Sequence, residues 1–289
     1  MPVVLTPDGV EINYFDLGGS GSPLLMVHAT GFHGHMWAPV ADHLQSDFRC
    51  WALDLRGHGD SGAPSDLDFS WGGFAQDIQS VVGALGLEHP RAVGHSLGGA
   101  TLLMVEQLVP GTFGSIFAYE PAICVPSAES DDDGSSEAID LALRRRSTFP
   151  SRRDALANFA GKPPMDSFAD EVLAAYVEHG FVEDSEGRVH LKCRPEYEAG
   201  AFGGFSESSI YARLPEVRCP VVIACGSEFG SNAAERNDLF ASRLPHGRPE
   251  ELTGLNHFGP QQSPTRLADS IRATLGAELD AEPCGAHER

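Results

Sequence analysis

Positive charge is scarce in this sequence. Twenty lysines and arginines face 41 aspartates and glutamates, for a formal net charge of −21. A surface of that sign repels phosphate backbones, so nucleic acid is not an expected partner. Long apolar runs are also missing: none approaches the roughly 18 residues that a membrane span requires. The start, Met1-Pro2-Val3-Val4-Leu5-Thr6-Pro7-Asp8, has no basic stretch leading into an apolar one, which argues against a secretory signal. The six cysteines are scattered and none forms a C-x-x-C pair, so reduced, buried thiols are expected in place of a disulfide framework or redox motif. His33 and His35 are one residue apart, but no carboxylate or cysteine cluster joins them, so no metal site is expected. The expectation is a soluble cytoplasmic protein acting on a small molecule without metal or cofactor, with a homo-oligomer left open.

What is present is a chain of 289 residues, 42% hydrophobic, enough for a sizeable core. Residues 3–17 read as two short strands around the Pro7-Asp8-Gly9 turn. Pro23 to His28 is a continuous apolar run, as expected of a strand buried on both faces. Arg49–Asp54, Arg91–His95 and Ser115–Glu120 read as further strands. They are separated by a helix that starts after the N-cap candidate Ser70 and by another over Leu97–Val109. This alternation predicts parallel β-α-β units with right-handed crossovers.

The rhythm breaks over residues 123–205, which show helical stretches and no clear buried strand. That span includes the acidic stretch Glu129–Asp133 and the basic triplet Arg144-Arg145-Arg146, both expected to be solvated. It resumes at Pro220–Cys225, with helices near 233–243 and 264–276 and a strand near 249–253. The expected organisation is an α/β core over 1–122 and 206–278, a helical insertion over 123–205 and a flexible tail over 279–289.

Gly94-His95-Ser96-Leu97-Gly98 fits G-x-S-x-G between a predicted strand and a predicted helix. Such a tight turn lifts the serine hydroxyl clear of the sheet, at a helix N-terminus that favours developing negative charge. At these residues the chain resembles the α/β-hydrolase superfamily. Three further segments carry the resemblance: His28-Ala29-Thr30-Gly31 after a strand, Asp54-Leu55-Arg56-Gly57-His58-Gly59-Asp60-Ser61 after the next, and Gly254-Leu255-Asn256-His257-Phe258 near the end. The resemblance implies a mostly parallel, doubly wound sheet, with the insertion where many members place a helical cap.

A serine hydroxyl needs a base, and the base needs a third group to fix its tautomer. Ser96 is the expected nucleophile and His257 the expected base, in the superfamily's Ser-acid-His order. His95 flanks the nucleophile and should point away from it. Two glutamates compete for the acid. Glu228 lies near the family's usual position, one residue early after Gly226. Glu120 ends the strand after the nucleophile helix, where some members, including certain haloalkane dehalogenases and a fungal lactone hydrolase, carry a glutamate. Glu120 is favoured.

The resemblance also implies an oxyanion hole from the backbone N–H groups of Thr30 and Leu97. Phe32, His33 and Trp37 are expected at the pocket mouth. Because Ser96 stands where dehalogenases and epoxide hydrolases carry aspartate, neither of those activities is expected. Ester or lactone hydrolysis is preferred. The alternatives are C–C hydrolysis of ring-cleavage products and a non-catalytic receptor of the same fold.

Overall fold

The computed structural model describes residues 2–125, 135–205, 209–228 and 233–276. The acidic stretch Glu129–Asp133, Cys284 and the tail 279–289 lie outside them. In chain order the elements are β1 (Val3–Leu5), β2 (Glu11–Gly18), β3 (Ser22–Val27), α1 (Ala38–Leu44), β4 (Phe48–Leu53), α2 (Trp71–Leu85), β5 (Arg91–His95), α3 (Leu97–Leu108) and β6 (Ser115–Tyr119). Next come α4 (Ser135–Leu143), β7 (Thr148–Phe149), α5 (Arg152–Ala160), α6 (Asp170–His179), β8 (Phe181–Glu183), β9 (Val189–Leu191) and α7 (Pro195–Gly203). The chain closes with α8 (Ile210–Arg213), β10 (Val221–Gly226), α9 (Ala233–Arg243), β11 (Gly247–Leu252), α10 (Gly259–Gln262) and α11 (Pro264–Leu275).

The main sheet has eight strands in the order β1-β2-β4-β3-β5-β6-β10-β11. β1 and β2 pair antiparallel, as does β2 with β4, and every later pairing is parallel. The continuous apolar run of β3 has a simple cause. Leu25 and Val27 pack into the core cluster on one face, with Phe74 and Ile78 of α2 and Leu102 and Leu103 of α3. Leu24 and Met26 pack into the cluster on the other face, with Val40 and Leu44 of α1 and Leu267 and Ile271 of α11. Successive side chains alternate faces, so a strand covered on both sides must be apolar at every position.

The inserted stretch is not purely helical. β7, β9 and β8 form a separate three-stranded antiparallel sheet. Strands of two or three residues are too short to show alternation, which is why the sequence hides them. Their core, with Phe149, Tyr176, Phe181 and Leu191, packs around Ala29, Phe32 and Met36 of the loop after β3. Ser70 does precede α2, but its side chain makes no capping bond and instead donates to Asp68 at 3.3 Å. Among the described residues no helix is long and apolar enough to cross a membrane.

Candidate active site

Ser96 occupies the turn between β5 and α3 with φ 53° and ψ −116°, a conformation seldom adopted by a residue with a side chain. Its backbone is held on both sides. Its N–H donates to the Tyr119 carbonyl at 3.0 Å, and its carbonyl accepts from Ala100 and Ala122 at 3.0 and 3.1 Å. The glycines around it are required by close approach. A Cβ on Gly98 would stand 2.3 Å from the Val27 carbonyl oxygen, and one on Gly94 would stand 2.5 Å from the Gly99 nitrogen.

Glu120 follows β6 at φ 41°, again a left-handed residue with a side chain. Its N–H donates to the Ala224 carbonyl at 2.7 Å, and its Oε1 accepts the Gly226 N–H at 2.9 Å. The other oxygen, Oε2, lies 2.7 Å from His257 Nδ1. The Glu120 side chain is 6% exposed and that of His257 22%. The geometry makes Nδ1–H the donor and turns Nε2 away from the carboxylate, the tautomer a general base requires.

The loop carrying His257 is fixed on several sides. The His257 carbonyl lies 2.8 Å from His95 Nε2, so His95 braces the loop. The Tyr119 hydroxyl donates to the Asn256 carbonyl at 2.7 Å, and the Asn256 side chain accepts the Phe258 N–H at 2.7 Å. Gly226 is needed where this loop crosses, since a Cβ there would sit 2.1 Å from the Leu255 carbonyl oxygen. Glu228, the competing acid, is exposed and engages the loop only through its backbone N–H to the Leu255 carbonyl at 2.9 Å. The structure therefore brings Glu120 to His257 by its carboxylate.

Ser96 and His257 open onto one cavity of about 590 Å³, within the range of small-molecule sites. From the core it is lined by Ala29, Thr30, Phe32 and Phe258, and from the insertion by Arg145, Arg146, Phe159, Lys162 and Glu198 among others. Thr30 thus stands at the cavity wall, while Leu97 is the first residue of α3 and fully buried. The loop is anchored by His28: Nδ1 lies 2.8 Å from the Ala29 carbonyl, and Nε2 accepts the Leu55 N–H at 3.0 Å. One nitrogen donates and the other accepts, which suits a neutral ring, and burial together with nearby His58 holds its pKa well below the usual value.

Two expected pocket residues are placed elsewhere. Trp37 is buried in the core between sheet and helices, with Phe15, Leu24 and Val40. His33 is buried with its ring stacked on Tyr176 of α6 at 5.9 Å, its Nε2 3.2 Å from the Tyr176 carbonyl. Both residues follow Phe32 closely, but the chain turns into a short helical segment at Gly34–Trp37 and carries them away from the cavity.

The basic triplet also differs from expectation. Arg144 is exposed and paired with Asp140 at 2.8 Å, but Arg145 turns inward. Arg145 Nη1 donates to Glu198 at 2.6 Å, and Nη2 donates to the Tyr176 hydroxyl. A Cβ on Gly31 would stand 2.6 Å from Glu198 Oε1, so this ion pair abuts the loop of the expected oxyanion hole. Nothing in the local sequence distinguishes Arg145 from its neighbours, and its partner lies 53 positions away.

The run after β4, Asp54 to Ser61, makes structural ties. Asp54 accepts the Gly34 N–H at 2.7 Å and the Asp60 N–H at 2.8 Å, while burial pushes its pKa up to about 7. Arg56 is buried against Asp77 of α2 at 2.8 Å and also bonds Asp8 at 2.8 Å. Together these tie the loops beneath the site to α2 and to the β1–β2 turn.

Comparison with known proteins agrees with this architecture. Residues 24–270 match the model of the alpha/beta hydrolase family. The N-formylmaleamate deformylase of Pseudomonas putida is 26% identical over 227 residues, covering 78% of each chain. The crystal structure of E-2-(acetamidomethylene)succinate hydrolase superposes with a TM-score of 0.79 at 21% identity, covering 95% of this chain and 99% of that one. A thermophilic esterase from Thermogutta terrifontis, solved with malate bound, gives 0.72 at 19% identity, covering 96% and 98%. With an eight-stranded, mostly parallel sheet, a serine on the strand-to-helix turn after β5 and a family match spanning most of its length, this chain belongs to the alpha/beta hydrolase family.

Proposed function

We propose that the chain is a serine hydrolase that cleaves a small carboxylic ester or lactone through an acyl-enzyme on Ser96. The observation that carries this reading is the Glu120–His257 contact of 2.7 Å, with His257 on the wall of the cavity that also holds Ser96. In the mechanism, His257 Nε2 takes the Ser96 proton as Oγ attacks the substrate carbonyl. Glu120 keeps Nδ1 protonated and stabilises the imidazolium that forms. The backbone N–H groups of Leu97 and Thr30 receive the charge that develops on the carbonyl oxygen, a contribution of several kcal/mol in such sites. His257 then protonates the departing alcohol, and water activated by the same ring releases the acid.

C–N hydrolysis of a small amide is the second reading. It uses the same residues and differs only in the group that leaves. Its support is the name of the Pseudomonas putida relative, a deformylase of N-formylmaleamate.

The test is active-site labelling. A fluorophosphonate should modify the parent protein at Ser96 and leave Ser96→Ala unmodified, and p-nitrophenyl acetate should give a burst that the variant lacks. A folded parent that takes no label would sink the reading and favour a receptor. A panel of esters, lactones and amides then separates the leaving groups.

A further inference from the structure

The wall that the insertion turns towards Ser96 is cationic, in a chain of net charge −21. Among the described residues, the charged side chains it contributes to the cavity are Arg145, Arg146, Lys162 and the carboxylate Glu198. Arg145 and Glu198 compensate one another at 2.6 Å. Arg146 and Lys162 have no such partner among the described residues. The Arg146 Nε donates to the neutral Thr148 carbonyl at 3.0 Å, and its guanidinium lies over the Phe149 ring at 4.3 Å. Lys162 Nζ donates to the neutral Asn158 side chain at 2.9 Å.

Elsewhere several cations are captured by carboxylates. Arg49, Arg56, Arg152, Arg213, Arg272 and Lys192 all sit in ion pairs. With Arg145 and Glu198 compensating one another, two cations left on neutral partners give the described lining of this cavity a net positive charge. Such a charge attracts and orients an anion.

We propose that Arg146 and Lys162 recognise a free carboxylate on the substrate, remote from the bond that is cleaved. This rests on the serine-hydrolase reading and names its substrate class: a small acyl compound that is also a carboxylic acid, such as a dicarboxylate half-ester or a lactone that bears a separate carboxylate. Arg146 supplies a planar fork that matches a carboxylate, and Lys162 a mobile point charge. Both are exposed, so they act at the cavity mouth while the neutral, aromatic interior around Phe32, Phe159 and Phe258 takes the carbon skeleton.

A matched substrate pair tests this: mono-p-nitrophenyl glutarate, which keeps a free carboxylate, and its methyl ester, which does not. At low salt the acid should be preferred by about tenfold or more in kcat/KM, and added salt should erode the preference. The double substitution Arg146→Ala with Lys162→Ala should bring the ratio close to one, mainly through KM. Arg146→Glu with Lys162→Glu should invert it. Glutarate should inhibit the parent competitively, and glutaramide should not, a comparison that needs no variant to fold. A parent that treats both esters alike, or a ratio untouched by charge reversal, overturns the proposal while Ser96 labelling persists. Loss of labelling would instead remove the hydrolase reading beneath it.

Discussion

The carboxylate of Glu120 meets His257 Nδ1 at 2.7 Å across 137 positions of sequence. The contact depends on the left-handed backbone of Glu120 and on the Gly226 N–H that holds the second carboxylate oxygen. Glu120→Gln keeps the shape but can no longer stabilise the imidazolium, and it permits the wrong ring tautomer. It should lower kcat on an activated ester by about 10²–10⁴-fold, while Glu228→Gln stays near the parent. Steady-state kinetics on both variants decides between the two glutamates, and the reverse pattern would move the acid to Glu228.

Gly98→Ala should damage both stability and activity. The new methyl would lie 2.3 Å from the Val27 carbonyl oxygen and 2.6 Å from that of His28, both backbone atoms with little room to yield. Overpacking of this kind costs about 1–3 kcal/mol, and here the displaced segments are β3 and the nucleophile turn. A lowered urea midpoint with loss of fluorophosphonate labelling is the expected pair of results. Parent-like labelling would show that the turn tolerates a side chain.

Asp77→Ala should be among the most destabilising single changes. It strands the Arg56 guanidinium, whose side chain is 3% exposed, beside an emptied carboxylate site. Removing one partner of a buried pair costs about 3–5 kcal/mol, because the remaining charge is left desolvated. Asp8 limits the loss by its own bond to Arg56 at 2.8 Å, but it sits at the exposed β1–β2 turn. Denaturant unfolding of Asp77→Ala beside Asp8→Ala should place the first well below the second.

His35 makes stability pH-dependent. Its ring stacks on that of His179 at 3.9 Å, with His33 at 6.4 Å and the Asp60–Lys192 pair close by. Burial, then the charge of a protonated His179, lowers its pKa to about 4. The unfolded ring titrates near 6.5, so between about pH 6.5 and 4 the unfolded chain binds the extra proton. The stability linked to a neutral His35 is therefore complete above pH 6.5 and is lost as pH falls towards 4. His35→Gln removes that dependence and should gain on the parent by roughly 1–3 kcal/mol over this interval. Urea midpoints measured from pH 7 to 4 check it, and parallel curves for the two proteins would contradict it.

Sequence alone determined the features that rest on local pattern. The apolar run of β3 and the amphipathic spacing of α2 announced a sheet covered on both faces. Gly94–Gly98 announced a strained turn, because a serine flanked by glycines between strand and helix has few other uses. The short strands β7, β8 and β9 gave too few residues for any period to register.

Tertiary structure decided whatever depends on approach between distant segments. Glu120 and Glu228 were both open on spacing, and only the crossing of the His257 loop over Gly226 brings one carboxylate to the ring. Trp37 and His33 share the composition of a pocket lining, yet the chain direction after Phe32 sends them into the core and onto α6. Arg145 read as part of a solvated basic triplet and became a half-buried partner of Glu198, leaving Arg146 and Lys162 facing the cavity on neutral partners. Periodicity and turn chemistry act over a few residues and can be read along the chain, whereas pairing and burial act through space and are set only once the sheet has brought its loops together.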